Sequence, residues 1–202
     1  MTQWNIELVL NTVSDLSLST QPLDEELPNE IVPYSSLCGL LEIIIKKHRL
    51  RLEGHHHLLL STMQALLRNL IINHGATDAL GQTLQESKAH LYARLITLIC
   101  EPTAGAVSRS QHQSALDSAT DAAKRSAGRH MYLIMMQYVK LQLEADVPRR
   151  VNDALEPAMN SIFDITPPEV RKILNDAMDK SGRAILKEMF KRYTKFGKWS
   201  GV

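Results

Sequence analysis

The stretch LEGHHHLLLSTMQALLRNLI, Leu52 to Ile71, runs three consecutive histidines into an apolar segment, and its reading decides the fold. Leu59, Met63, Leu66, Leu67, Leu70 and Ile71 recur at spacings of three and four, the signature of one buried helical face. The spacing predicts a helix whose first turn carries the histidines. Successive helical residues point about 100° apart, so His55, His56 and His57 cannot converge on one ion. A helical zinc pair is expected at i and i+4, and position 59 is leucine. The histidines therefore read as an N-terminal turn with one of the three buried.

Outward from this segment the same period returns. Leu37, Leu40, Leu41, Ile44, Ile45, His48 and Leu52 form a helix from Tyr34, and Gly54 stands where a C′ glycine belongs. A further helix is expected from about Ser87 to Cys100, closed by Pro102. Residues 129–143, RHMYLIMMQYVKLQL, are apolar nearly all round, which predicts a central helix. Val151, Ala154, Leu155, Ala158, Met159, Ile162 and Phe163 make an amphipathic stripe. Pro157 within it predicts a kink or a break near Leu155. In DITPPEV, Thr166, Pro167 and Glu169 read as cap, first turn and capping-box acid. A last helix, from about Ser181 to Phe196, buries Ile185, Met189, Phe190, Tyr193 and Phe196.

These elements predict an all-α protein of about six to seven helices, either an irregular bundle or stacked, solenoid-like helix pairs. Residues 34–199 are expected to form a single all-helical domain, with a mobile connection near 103–120. Residues 1–33 read as an acidic segment and loop. Within it Trp4, Leu8, Val9, Val13 and Leu16 outline one packed helix, although alternation at Trp4, Ile6, Leu8 and Leu10 also fits a strand. The 202 residues are 44% hydrophobic, 22% charged and only 5% aromatic, an ordinary globular composition. No run approaches 18 apolar residues, and the first 30 lack the pattern of a signal peptide. Cys38 and Cys100 lie in apolar helical patterns and read as buried thiols of a reducing compartment.

Catalytic signatures are missing. There is no glycine-rich phosphate loop, CxxC, HExxH or GxSxG. Asp176 and Asp179, at i and i+3, read as solvated or paired carboxylates. No cofactor, membrane or small-molecule substrate is expected.

Charge supplies the functional signal. Residues 1–45 hold seven acids and no Lys or Arg, so all 23 basic residues fall in 46–202, against 15 acids, a net +8. With Lys187 at zero on a wheel of 100° per residue, Lys180, Arg183, Lys191, Lys195 and Lys198 fall within about −40° to +80°. The apolar residues of the helix lie opposite. Arg171 and Lys172 add charge from the preceding helix. Such a face suits a phosphate backbone or an acidic protein. Its bland reading is a solvated outer face whose late cations suit the helix dipole.

Residues 154–199 carry Leu155 with Pro157, Phe163-Asp164, Arg171, Asn175 with Ala177-Met178-Asp179, Ser181-Gly182-Arg183-Ala184, Tyr193 and Gly197-Lys198-Trp199. In these the chain resembles the C-terminal domain of a nucleolar family, the unhealthy ribosome biogenesis protein two, also called nucleolar pre-ribosome-associated protein two. GHHHLLLSTMQALLRNL and ARLITLICEPT are similar to earlier blocks of that family. The resemblance covers roughly 50–199 and more weakly 34–50. Ala158 stands where the family pattern has glycine, and Leu186 where it has an aromatic. The resemblance implies a non-enzymatic nucleolar scaffold in early large-subunit assembly, acting on particles with 27S pre-ribosomal RNA. It also implies partners among assembly factors, a DEAD-box helicase module included. A structured-RNA-binding module using the basic helix is the alternative. A helical metal-dependent hydrolase using His55–His57 is the third and weakest reading.

Overall fold

The computed structural model describes residues 2–18, 33–52, 54–72, 79–103, 107 and 112–197. Among them every regular element is helical, and they form a helical bundle. In chain order they are α1 (Gln3–Leu18), α2 (Tyr34–Lys47), a short 3-10 turn (Arg49–Arg51), α3 (His56–Ile72), α4 (Ala79–Cys100) and α5 (Gln113–Gly128). Then follow α6 (Tyr132–Glu144), α7 (Arg149–Ile165), α8 (Pro168–Asp176), α9 (Lys180–Arg192) and a π turn (Tyr193–Gly197). The helix number is close to that expected.

The histidine-led segment forms α3 as its spacing required, with Leu59, Met63, Leu66, Leu67, Leu70 and Ile71 all buried. Gly54 before it has φ 79°, a conformation that glycine adopts without Cβ strain, but it is not the C′ residue of α2, which ends at Lys47 with His48 as its cap and gives way to the 3-10 turn. Helix α3 packs against α1, α4 and α6, while α4 makes the broadest contact of the molecule with α7. Helix α6 lies among α3, α7, α8 and α9, the central position its apolar circumference predicted. Burial of so much apolar surface at roughly 25 cal/mol per Å² is the main stabilising term of the bundle. Polar groups within it find partners. Tyr92 donates to the Met63 carbonyl at 3.0 Å, and the Gln85 amide donates to that of Leu70 at 3.1 Å. Among the described residues no buried side-chain N or O lacks a hydrogen bond.

Several expectations change. Helix α1 is a helix and not a strand, but it turns Ile6, Leu10, Val13 and Ser17 inward. Trp4 is 68% exposed and Leu8 is also exposed. The orientation is set by α3, where Thr62 donates to the Leu10 carbonyl (3.0 Å) and Asn69 to that of Ser17 (3.0 Å). Helix α4 begins at Ala79, well before Ser87, and its added first turns bury Gln85 against the Leu70 carbonyl of α3. Residues 113–120, the end of the expected connection and the part its sequence allowed to be helical, are the first half of α5; 104–106 and 108–111 lie outside the described residues.

Helix α7 runs unbroken through Pro157. Its stripe of Val151, Leu155, Ala158 and Ile162, fully buried against α4, outweighs the hydrogen bond that proline removes. Thr166 does not cap α8. Its hydroxyl donates back to the Ile162 carbonyl at 2.6 Å, closing α7, while Pro167 and Pro168 open α8 without a side-chain cap. The last-helix core also shifts. Leu186 and Tyr193 are buried, Ile185, Met189 and Phe190 are half-buried, and Phe196 is 68% exposed beneath the Lys195 ammonium.

Candidate protein or nucleic-acid interface

Of the basic residues singled out in the sequence, Arg171 and Lys172 lie on α8, Lys180, Arg183, Lys187 and Lys191 on α9, and Lys195 in the π turn that follows. Asp179 caps α9, its carboxylate accepting from the Gly182 amide at 2.8 Å. That is a structural task for one of the two carboxylates read as solvated or paired. Arg183 fastens the same turn by donating from Nε to the Met178 carbonyl at 2.8 Å. Gly182 is needed here for space, since a Cβ would stand 2.9 Å from Asp179 Oδ1.

Helix α9 is locked to α7 by an aromatic trio. Phe163 meets Phe190 edge-on at 5.4 Å between centroids, and Tyr193 lies 5.2 Å from Phe163. The Tyr193 hydroxyl donates to Asp164 at 2.5 Å, and Arg192 pairs with Glu156 at 2.7 Å. Burial, reinforced by the hydrogen bond to Asp164, pushes the Tyr193 phenol up to about 12, so it stays a donor at neutral pH. The Arg171 guanidinium lies over the Phe190 ring, 5.4 Å from its centre.

These contacts leave an open groove of about 530 Å³ between α8 and α9. Phe163, Leu174, Leu186 and Phe190 supply its apolar lining; Arg171, Lys180, Arg183 and Lys187 supply its charge. Of the residues predicted from the sequence, the fold brings these four together around one cavity. Lys191 and Lys195 continue along the exposed C-terminal part, and Lys172 is exposed outside the groove. Lys198 lies outside the described residues. The sequence reading missed the groove itself. Phe163 and Phe190 were read as core; the available signal was the breadth of the apolar face from Ile185 to Phe196, along α9 and the turn after it, which one neighbouring helix does not cover.

The pairing of the charges is uneven. Arg94 with Glu42, Arg150 with Glu86, Arg68 with Glu144 and Arg192 with Glu156 are all ion-paired across elements. Among the described residues, no such pair engages Arg171, Lys172, Lys180, Arg183 or Lys187. Lys191 has only a 3.8 Å approach to Glu188 on its own helix.

The histidines take another course. None is fully buried, contrary to the expectation of one. His56 is half-buried and stacks on His130 at 5.3 Å, while His55 Nδ1 lies 3.4 Å from Glu7. Burial, with His130 and Arg49 nearby, holds the His56 imidazolium below its usual range. Among the described residues, no group of three His, Cys, Asp or Glu side chains is placed to hold a metal. A second cavity, of about 390 Å³, is lined by Cys100, Glu101, Lys124, Ser161 and Asp164. Ser161 donates to Glu101 there at 3.0 Å, and burial pushes the Cys100 thiol well up, which makes it a poor nucleophile.

The family model of Urb2/Npa2 matches residues 1–202. The chain belongs to the Urb2/Npa2 family. That membership implies a role in ribosome biogenesis. No curated protein and no solved structure matches the chain. The Urb2/Npa2 match takes in the first 33 residues, which the sequence resemblance had left unplaced, and α1 accordingly shares the core with the rest. Several positions that carried the resemblance to the Urb2/Npa2 pattern have structural tasks at this end of the bundle. Phe163, Asp164 and Tyr193 seat α9 on α7, and Gly182 gives room to the Asp179 cap. No helix of the described residues is long and apolar enough to cross a membrane.

Proposed function

We propose that this chain is a non-catalytic scaffold module in early assembly of the large ribosomal subunit, acting in the nucleolus on particles that carry 27S pre-ribosomal RNA. It works through protein contacts, with assembly factors that include a DEAD-box helicase module, and through RNA backbone where its cations meet phosphate. Family membership supplies the process. The observation that carries the mode of action is the α8/α9 end, where cations with no ion pair among the described residues surround an open apolar groove. Protein interfaces combine an apolar centre with a polar rim. A surface that served only to be solvated would not need the apolar centre.

A second reading, direct binding of structured RNA, draws on Lys191, Lys195 and Lys172, which extend the charge beyond the groove. Recovery of the chain from nuclear extract, in RNase-treated and untreated halves, tests both. Assembly factors retained after RNase are expected. Loss of every factor after RNase would transfer the role to RNA binding. Absence of ribosome precursors from both halves would overturn the scaffold reading.

A further inference from the structure

We infer that the α8/α9 groove is a docking site for an acidic amphipathic helix of a partner protein. The inference deepens the scaffold reading and rests on it. Three observations select this occupant. First, the groove has an apolar lining, Phe163, Leu174, Leu186 and Phe190, in a volume of about 530 Å³. A ribose–phosphate backbone has nothing apolar to place there. A helix does, through side chains at i, i+3, i+4 and i+7. Second, the charges along the opening are of one sign: Arg171 from α8, and Lys180, Arg183 and Lys187 from α9. Third, these four have no carboxylate partner among the described residues, whereas cross-element pairs engage Arg68, Arg94, Arg150 and Arg192. Carboxylates arriving on the flanks of a docked helix would complete them. Apolar anchors supply affinity, and the flanking charges supply orientation and rate.

The geometry also fixes what distinguishes this occupant from RNA. Ala184 lines the groove and is exposed, so a large side chain there fills the cavity without disturbing the core. The A184W variant blocks an apolar anchor and leaves every cation in place. The pair K180E and K187E does the reverse.

The probe is a displayed library of helical peptides, selected on the full 202-residue chain, with the best binders resynthesised and measured by fluorescence anisotropy. Selected peptides are expected to carry apolar residues at helical spacing flanked by Asp and Glu. Their affinity should fall at least tenfold in A184W and at least tenfold in the charge-reversed double variant, and should weaken with salt. Circular dichroism melts of both variants establish that they remain folded. Selection of no such peptide, or equal binding to A184W, overturns the inference. So does a labelled RNA hairpin that binds the wild type, displaces the peptides and is lost in the charge variant but not in A184W; the face would then be a phosphate site. Nuclear-extract recovery with the wild-type chain separates the two levels. If no peptide binds the wild type while ribosome precursors are still recovered, the groove inference falls and the scaffold reading stands.

Discussion

Replacement of Gly128 by alanine tests the packing at the point where it is tightest. Gly128 ends α5 and lies against the last carbonyl of α7; a Cβ there would stand 2.0 Å from Ile165 O and 2.9 Å from its carbon. Real contacts of this kind do not fall below 3.0 Å, so the two helix ends must part by about 1 Å or one backbone must bend. The neighbour is backbone, not a side chain that can swing away. Overpacking of this sort costs about 1–3 kcal/mol, and the better helix propensity of alanine returns at most about 1 kcal/mol. Gly128 is the last residue of α5, where little of that interior gain applies, so a net loss of about 1–3 kcal/mol remains, which at this chain length lowers the melting temperature by roughly 2–12 °C. Gly39 is the control. It lies within α2 with nothing inside 4 Å of its Cβ position. The same substitution there should raise stability by about 0.5–1 kcal/mol. Thermal and urea unfolding of G128A, G39A and the wild type, followed by circular dichroism, measure all three. If G128A melts at or above the wild type, or if both variants shift alike, the close approach of α5 and α7 is wrong.

Other consequences follow from single contacts. Arg49 donates from Nη1 to the Leu98 carbonyl (2.9 Å) and from Nη2 to that of Ile99 (2.7 Å), capping α4 from a buried position. With charged donors worth about 1.5–3 kcal/mol each, R49M should cost about 3 kcal/mol by urea unfolding; a cost below about 1 kcal/mol would refute the capping role. Burial pushes the Cys38 thiol up to about 12 and the Cys100 thiol higher still. Both should therefore resist an aromatic disulfide reagent in the native protein and react together on unfolding, and prompt native labelling of either would contradict this burial. His56 is held below its usual 6.5 by burial first, then by His130 and Arg49. The unfolded chain therefore binds its proton first as the pH falls. The His56 contribution should be complete above pH 6.5 and decline below it. Substitution of His56 by glutamine should flatten that part of the stability profile, and an unchanged slope would remove His56 as its cause.

Much of the fold was legible because helical period is a local property. The face of α3, the central character of α6 and the stripe of α7 each follow from spacing within one segment. The cation row on α9 followed in the same way, since exposed charges keep to one side of a helix whatever lies beneath it. Errors came where two competing local patterns needed a neighbour to choose between them. In α1, Trp4 and Leu8 share a face as plausible as that of Ile6, Leu10 and Val13; Thr62 and Asn69 of α3 decide for the latter. At Thr166 the hydroxyl could close one helix or open the next, and the Ile162 carbonyl captures it.

Spacing along the chain therefore determined an all-helical protein and the exposed side that Lys180, Arg183, Lys187 and Lys191 share, because both depend on residues a few positions apart. Tertiary structure alone decided the continuity of α7 through Pro157, the exposure of Phe196 and the existence of the α8/α9 groove. The physical reason is the same for all three. Each depends on whether an apolar surface meets a partner at about 4 Å, and that partner comes from a different segment of the chain. Phe163 and Phe190 read alike as core residues in one dimension; in the fold Phe163 is buried with Leu174 and Leu186 at the floor of the groove, while Phe190 stays half-buried among Arg171, Lys180, Arg183 and Lys187.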